Sequence, residues 1–109
     1  MLPEAFLERM KRQLGDEYES YLDSLNRSRA VALRFNPLKG EIPQLPFVGQ
    51  PVPWEPMGYY YDPDARPGLH VFHEAGVYYL QEASAMAPVA LLDPQPGERV
   101  CDCLLYTSP

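Results

Sequence analysis

The chain has 109 residues, enough for one domain with a modest core. Its formal net charge of −6 argues against a generic polyanion-binding domain, although a local basic patch stays possible. No run approaches the roughly 20 apolar residues that span a bilayer, and the charged start lacks a signal-peptide core, so a cytoplasmic protein without membrane contact is expected.

Leu2 to Leu14 reads as a helix, with Pro3 in its first turn and Phe6, Leu7, Met10 and Leu14 on one face. Gly15 supplies a left-handed stop. Asp16 is then placed to cap a second helix, with Glu19 three residues on as its capping-box partner. Tyr18, Tyr21, Leu22 and Leu25 form the apolar face of that helix. The expectation is a helical hairpin.

Ala30 to Phe35 reads as a strand, with Ala32 and Arg34 on one face and Val31, Leu33 and Phe35 on the other. Asn36-Pro37 ends it. Between Asp23 and Glu41 there is no acid, but there are Arg27, Arg29, Arg34 and Lys39. A basic stretch in an acidic chain serves either as a phosphate-contacting edge or as a solvated edge kept from aggregating by charge.

Of thirteen prolines, eight cluster between Pro37 and Pro67, so Gly40 to Pro67 should be turns and short strands. Phe47-Val48 and Val52 to Trp54 are candidates to pair, and Gly58 to Tyr61 is a further strand. Its tyrosines either stack on bases or fill half-buried strand positions. His70, His73 and Glu74 invite a metal reading, but no third zinc ligand can be nominated, so hydrogen-bonding histidines are expected and no metal.

Gly76 to Pro88 runs from a β-branched and aromatic strand, through the polar residues Gln81, Glu82 and Ser84, into a helix from Ser84 to Leu92. Such a handover is a common place to hold a ligand. Arg99 to Asp102 then reads as a buried strand of a doubly wound sheet. Cys101 and Cys103 are too close in sequence for a favourable disulfide, and neither a redox nor a metal pair is expected.

Four pieces occur in family order: Leu2-Pro3-x-x-Phe6; Leu33-Arg34-Phe35-Asn36-Pro37-Leu38-Lys39; His73-x-Ala75-Gly76-x-Tyr78-Tyr79-x-Gln81-Glu82-x-Ser84-Ala85-Met86; and Leu91-Leu92-Asp93-Pro94-Gln95-Pro96-Gly97-Glu98-Arg99-Val100-x-Asp102. Together they resemble the N-terminal part of bacterial NOP2/Sun-family RNA cytosine-C5 methyltransferases, of the RsmF type that acts on 16S ribosomal RNA. The resemblance implies an α/β fold. Residues 1–68 would be an α+β N-terminal domain with a helical hairpin and short strands. Residues 69–102 would be the first elements of a Rossmann-like methyltransferase sheet, truncated.

The same resemblance implies S-adenosylmethionine as cofactor, with Gln81, Glu82, Ser84 and Asp102 beside it. It implies ribosomal RNA as partner, with Arg34, Asn36 and Lys39 helping to hold it, and a monomer at full length. The family's two catalytic cysteines lie further along, and neither Cys101 nor Cys103 matches one. Cys103-Leu104-Leu105-Tyr106-Thr107-Ser108-Pro109 departs from the glycine-rich cofactor turn expected there. It reads as a translated sequencing adapter, so residues 103–109 are expected to be an artefactual tail on a fragment that lacks catalytic competence. The alternative is a stand-alone RNA-binding or ribosome-assembly module.

Overall fold

The computed structural model describes residues 1–103. Beyond Cys103, the expected tail lies outside the described residues.

Helix α1 spans Glu4–Leu14, and α2 spans Tyr18–Leu25. Pro3 stands at the N-cap of α1 rather than inside its first turn, and its carbonyl accepts from the amides of Phe6 and Leu7. Gly15 stops α1 at φ 53°, a conformation that costs glycine little. Asp16 does not cap α2. It lies inside a 3-10 turn, Gly15–Glu17, whose backbone bonds carry one helix into the next, and the N-cap of α2 is Glu17 with no side-chain bond. The helical hairpin therefore forms with different joinery. No residue of either helix is fully buried.

Four strands follow: β1 at Ala32–Phe35, β2 at Val48–Pro51, β3 at Gly58–Tyr61 and β4 at Tyr78–Leu80. They form one sheet in the order β2-β3-β1-β4, antiparallel throughout. The expected pairing of Phe47-Val48 with Val52 to Trp54 does not form. Instead, Val48–Pro51 is a single edge strand on β3, where the proline's missing N–H is tolerated. A short helix α3, Val71–Glu74, precedes β4, and α4, Ala83–Leu92, follows it. The architecture is mixed α/β.

Strand alternation divides the core between the sheet's two faces. Leu33, Phe35 and Tyr78 are buried on one, packed by Phe47, Tyr59, Phe72 and Leu80 among others. Ala32, Val52 and Met86 are buried on the other, with Tyr60 and Ala83 against them. Met86, from α4, and Leu33, from β1, are fully covered. Each such side chain contributes about 1.5–3 kcal/mol on removal from water. Trp54 Nε1 donates to the Ala83 carbonyl over 2.6 Å, which ties the loop after β2 to the start of α4.

Pro88 falls at the sixth position of α4, where its absent N–H leaves the Ser84 carbonyl without an intrahelical donor; both residues are exposed. One expectation near the C-terminal end differs from the structure. Arg99 to Asp102 is neither a strand nor buried. A strand needs a neighbour for its backbone groups, and the sheet has none at that place.

Candidate functional site

Arg34 is central in the sheet. It pairs with Gly58 of β3 on one side and with Tyr79 of β4 on the other. Its side chain shares a face with Ala32, as the alternation predicts. Helix α4 covers the Ala32 end of that face through Met86. The Arg34 end stays open, as a groove of about 590 Å³ lined by residues that include Arg34, Asn36, Glu55, Gly76 and Tyr79.

Two of the three residues expected at RNA thus line one groove, and the third lies beside it. A Cβ placed on Gly76 would stand 3.6 Å from Lys39 Cε, so the lysine stem crosses over the loop that forms the groove wall. The three are not equivalent. Asn36 Oδ1 accepts from the Leu38 amide at 3.0 Å, and its Nδ2 donates to the Gly76 carbonyl at 3.3 Å. Asn36 therefore pins the turn after β1 to the loop before β4, and positions the basic residues rather than offering a free head group. Arg34 is half-buried and has no ion-pair partner among the described residues. Lys39 is exposed. Arg27, by contrast, is already paired with Asp23 one helical turn earlier. The basic stretch thus narrows to Arg34 and Lys39 at the groove.

Tyr79 and Glu55 complete that groove; Tyr79 stands in the third family piece, but the sequence placed neither residue at RNA. Tyr79 is 49% exposed, while Tyr78 beside it is buried. Alternation along β4 separates the two tyrosines, but setting Tyr79 against Arg34 requires the register of β1 on β4. Glu55 Oε1 accepts from the Met57 amide at 3.1 Å.

The residues expected at the cofactor are more dispersed. Gln81 is buried, and its amide donates to the Ala32 carbonyl at 3.1 Å, which extends the β1–β4 ladder. Gln81 and Glu82 line a cavity of about 270 Å³ together with Arg29, Val31, Ala32, Tyr61 and Leu80. Neither Ser84 nor Asp102 lines it. Ser84 is exposed on the first turn of α4, and Asp102 is exposed beyond the helix.

The two histidines differ: the His73 ring lies against Tyr78 and its buried Nδ1 has no hydrogen-bond partner among the described residues, whereas His70 is hydrogen-bonded. His70 caps α3, its Nδ1 accepting from the Phe72 amide at 3.1 Å, and its ring packs against Phe47 and Phe72. Among the described residues no group of three or more His, Cys, Asp or Glu could hold a metal ion. Cys101 and Cys103 are free and exposed. The Tyr78 hydroxyl donates to the buried Pro67 carbonyl over 2.6 Å. Burial raises the pKa of this phenol above its usual 10.0, and the neighbouring Tyr61 adds to the shift. Among the described residues no helix is long and apolar enough to cross a membrane.

The described residues thus form an α/β domain with an open groove at the sheet, lined by Arg34, Glu55 and Tyr79 among others. Residues 2–83 match the family model described as the N-terminal domain of 16S rRNA methyltransferase RsmF, and the chain belongs to that family. Among similar proteins is a ribosomal RNA small subunit methyltransferase F of Cronobacter sakazakii, 36% identical over 104 residues, covering 84% of this chain and 22% of the relative. The protein of that name in Klebsiella pneumoniae is 35% identical over 116 residues, covering 92% of this chain and 24% of the relative. The one in Escherichia coli O157:H7 is 32% identical, with the same coverage of 92% and 24%. The chain thus spans about a quarter of the length of these curated relatives.

Proposed function

We propose that this chain is the RNA-facing N-terminal portion of an S-adenosylmethionine-dependent ribosomal RNA cytosine-C5 methyltransferase, and that it does not methylate RNA by itself. The observation that carries the reading is the family match over residues 2–83. Its substrate, ribosomal RNA, comes from the names of the relatives. In this reading residues 1–68 form the appended domain, residues 69–102 begin the methyltransferase domain, and the work is done in the cytoplasm.

Arg34 and Lys39 contact phosphates, and Asn36 holds their turn in place. Their position around one open groove supports this assignment. When bound, the cofactor supplies the methyl group. Gln81, Glu82, Ser84 and Asp102 form one wall of its site. The cavity at Gln81 and Glu82, about 270 Å³, falls below the about 300–1,000 Å³ usual for small-molecule sites, and two of the four residues lie outside it. One wall alone does not fit the cofactor, so the 109-residue chain is expected not to bind it tightly.

The test is a pair of titrations on the 109-residue chain. Fluorescence anisotropy with a 16S ribosomal RNA fragment should show affinity that falls with salt. Arg34→Glu and Lys39→Glu should each weaken it and reduce the salt slope by about 1. Calorimetry with S-adenosylmethionine should show no micromolar binding. The absence of any salt-dependent RNA affinity overturns the RNA-facing assignment, and micromolar cofactor binding overturns the one-wall assignment.

A further inference from the structure

We infer that the Arg34–Tyr79 groove is a seat for one unpaired nucleotide of a single-stranded RNA segment, with Tyr79 as the stacking platform and Arg34 as the phosphate contact. The inference rests on the RNA-facing reading above and adds to it the conformation and the base class that the groove accepts.

Three features of the groove carry it. First, Arg34 and Tyr79 are directly opposite across the β1–β4 ladder, so their side chains leave the same face side by side. Tyr79 is half exposed on the edge strand β4, and α4 stops short of covering it. An aromatic ring left half open beside a cation across the ladder offers the two contacts a nucleotide uses, stacking for its base and a positive charge for its phosphate. A duplex keeps its bases stacked within the helix and offers only phosphates to such a face, whereas an unpaired base can leave the strand and lie on the ring.

Second, the groove is not a bare anion seat. Glu55 lines it together with Arg34, yet the two are not ion-paired. A ligand consisting only of phosphate would meet the Glu55 carboxylate as a like charge. A nucleotide carrying an exocyclic amino group satisfies both residues, because the amine donates to the carboxylate while the phosphate meets the guanidinium. Cytidine, adenosine and guanosine have that amine, and uridine does not. Third, the volume of about 590 Å³ falls within the range of small-ligand sites, so the groove has room for a single nucleotide.

The test uses the 109-residue chain and fluorescence anisotropy with three probes: a single-stranded cytidine homopolymer, a uridine homopolymer of equal length, and a duplex of equal length. The cytidine strand should bind more tightly than the uridine strand and more tightly than the duplex. Tyr79→Ala should weaken the cytidine strand about tenfold or more, with little effect on the duplex. Tyr79→Phe keeps the ring and should bind as the unchanged chain does. Glu55→Gln should shrink the preference for cytidine over uridine. Tyr79 is exposed, so its replacement is not expected to unfold the sheet, and circular dichroism of both variants checks this.

Equal binding of duplex and single strand, or unchanged affinity in Tyr79→Ala, overturns the stacking seat. If Arg34→Glu still weakens RNA binding in that case, the RNA-facing reading stands without it. A chain that binds none of the probes overturns both.

Discussion

A Cβ placed on Gly58 would stand 2.7 Å from Met86 Sδ, closer than real side-chain atoms approach. The strand residue and the helix residue therefore depend on one another: α4 lies down on the sheet because β3 leaves it room there. Val52 Cβ at 3.1 Å and Glu55 Cγ at 3.2 Å close the remaining directions. Gly58→Ala should destabilise the fold by about 1–3 kcal/mol, as overpacking does. Met86→Ala should cost about 2–5 kcal/mol through the cavity it leaves. The double variant should cost less than the sum, because the new methyl enters the vacated space. Urea denaturation of the three variants measures this coupling, expected at about 0.5–3 kcal/mol. Strict additivity would show that the contact does not hold α4 in place.

Tyr78→Phe removes the bond to the Pro67 carbonyl, which keeps the longer bond from the His70 amide at 3.3 Å. The expected loss is about 0.5–1.5 kcal/mol. It should also change the alkaline limb of stability. The phenol's pKa is raised in the folded chain, so the unfolded chain releases the proton first. The contribution is therefore complete below about 10 and declines as pH climbs through the folded value. Denaturation midpoints at rising pH should fall less steeply in Tyr78→Phe than in the unchanged chain. Parallel curves would place the alkaline loss elsewhere.

His70 caps α3 from its Nδ1, and this use competes with any metal. His70→Ala should lower stability by about 0.5–2 kcal/mol, and His70→Asn should recover part of it, since asparagine also accepts from a helix amide. Added zinc should leave the thermal midpoint unchanged, because a ligand bound only by the folded state would raise it. A zinc-dependent rise that His70→Ala abolishes would restore the metal reading of His70, His73 and Glu74.

The legible part of this fold was its local grammar. Gly15 ends α1 because only a residue without a Cβ takes that φ cheaply, and the alternation in β1 separates Arg34 from Leu33 and Phe35. The family motifs carried the rest of the reading, and the match over residues 2–83 agrees with them. Long-range pairing was not legible. Nothing local sets Tyr79 beside Arg34, or makes Val48–Pro51 one strand rather than half of a hairpin, because register follows from partners elsewhere in the chain. The same reason explains the error at Arg99 to Asp102. A β-like run is a strand only when another edge accepts it, and here it is exposed and lies outside the sheet.

Helix α4 is apolar around most of its circumference, but the sheet covers only the side that carries Met86. Val89 is 42% exposed, Leu91 88% and Leu92 56%, with Val100 at 56% just beyond. Clustered apolar surface of this kind promotes association. Sedimentation velocity should therefore show species larger than the monomer that increase with concentration. Leu91→Lys should shift the distribution toward monomer and leave the thermal midpoint within the small range of surface substitutions, about ±0.5 kcal/mol. Met86→Ala should instead lower the midpoint, because it empties the core. Hydrogen exchange gives an independent check: the amides of residues 99–102 should exchange faster than those of α1, since the segment is exposed and outside any helix or strand. Equal protection of the two segments, or a Leu91→Lys chain as destabilised as Met86→Ala, would mean that this face is already packed within the monomer.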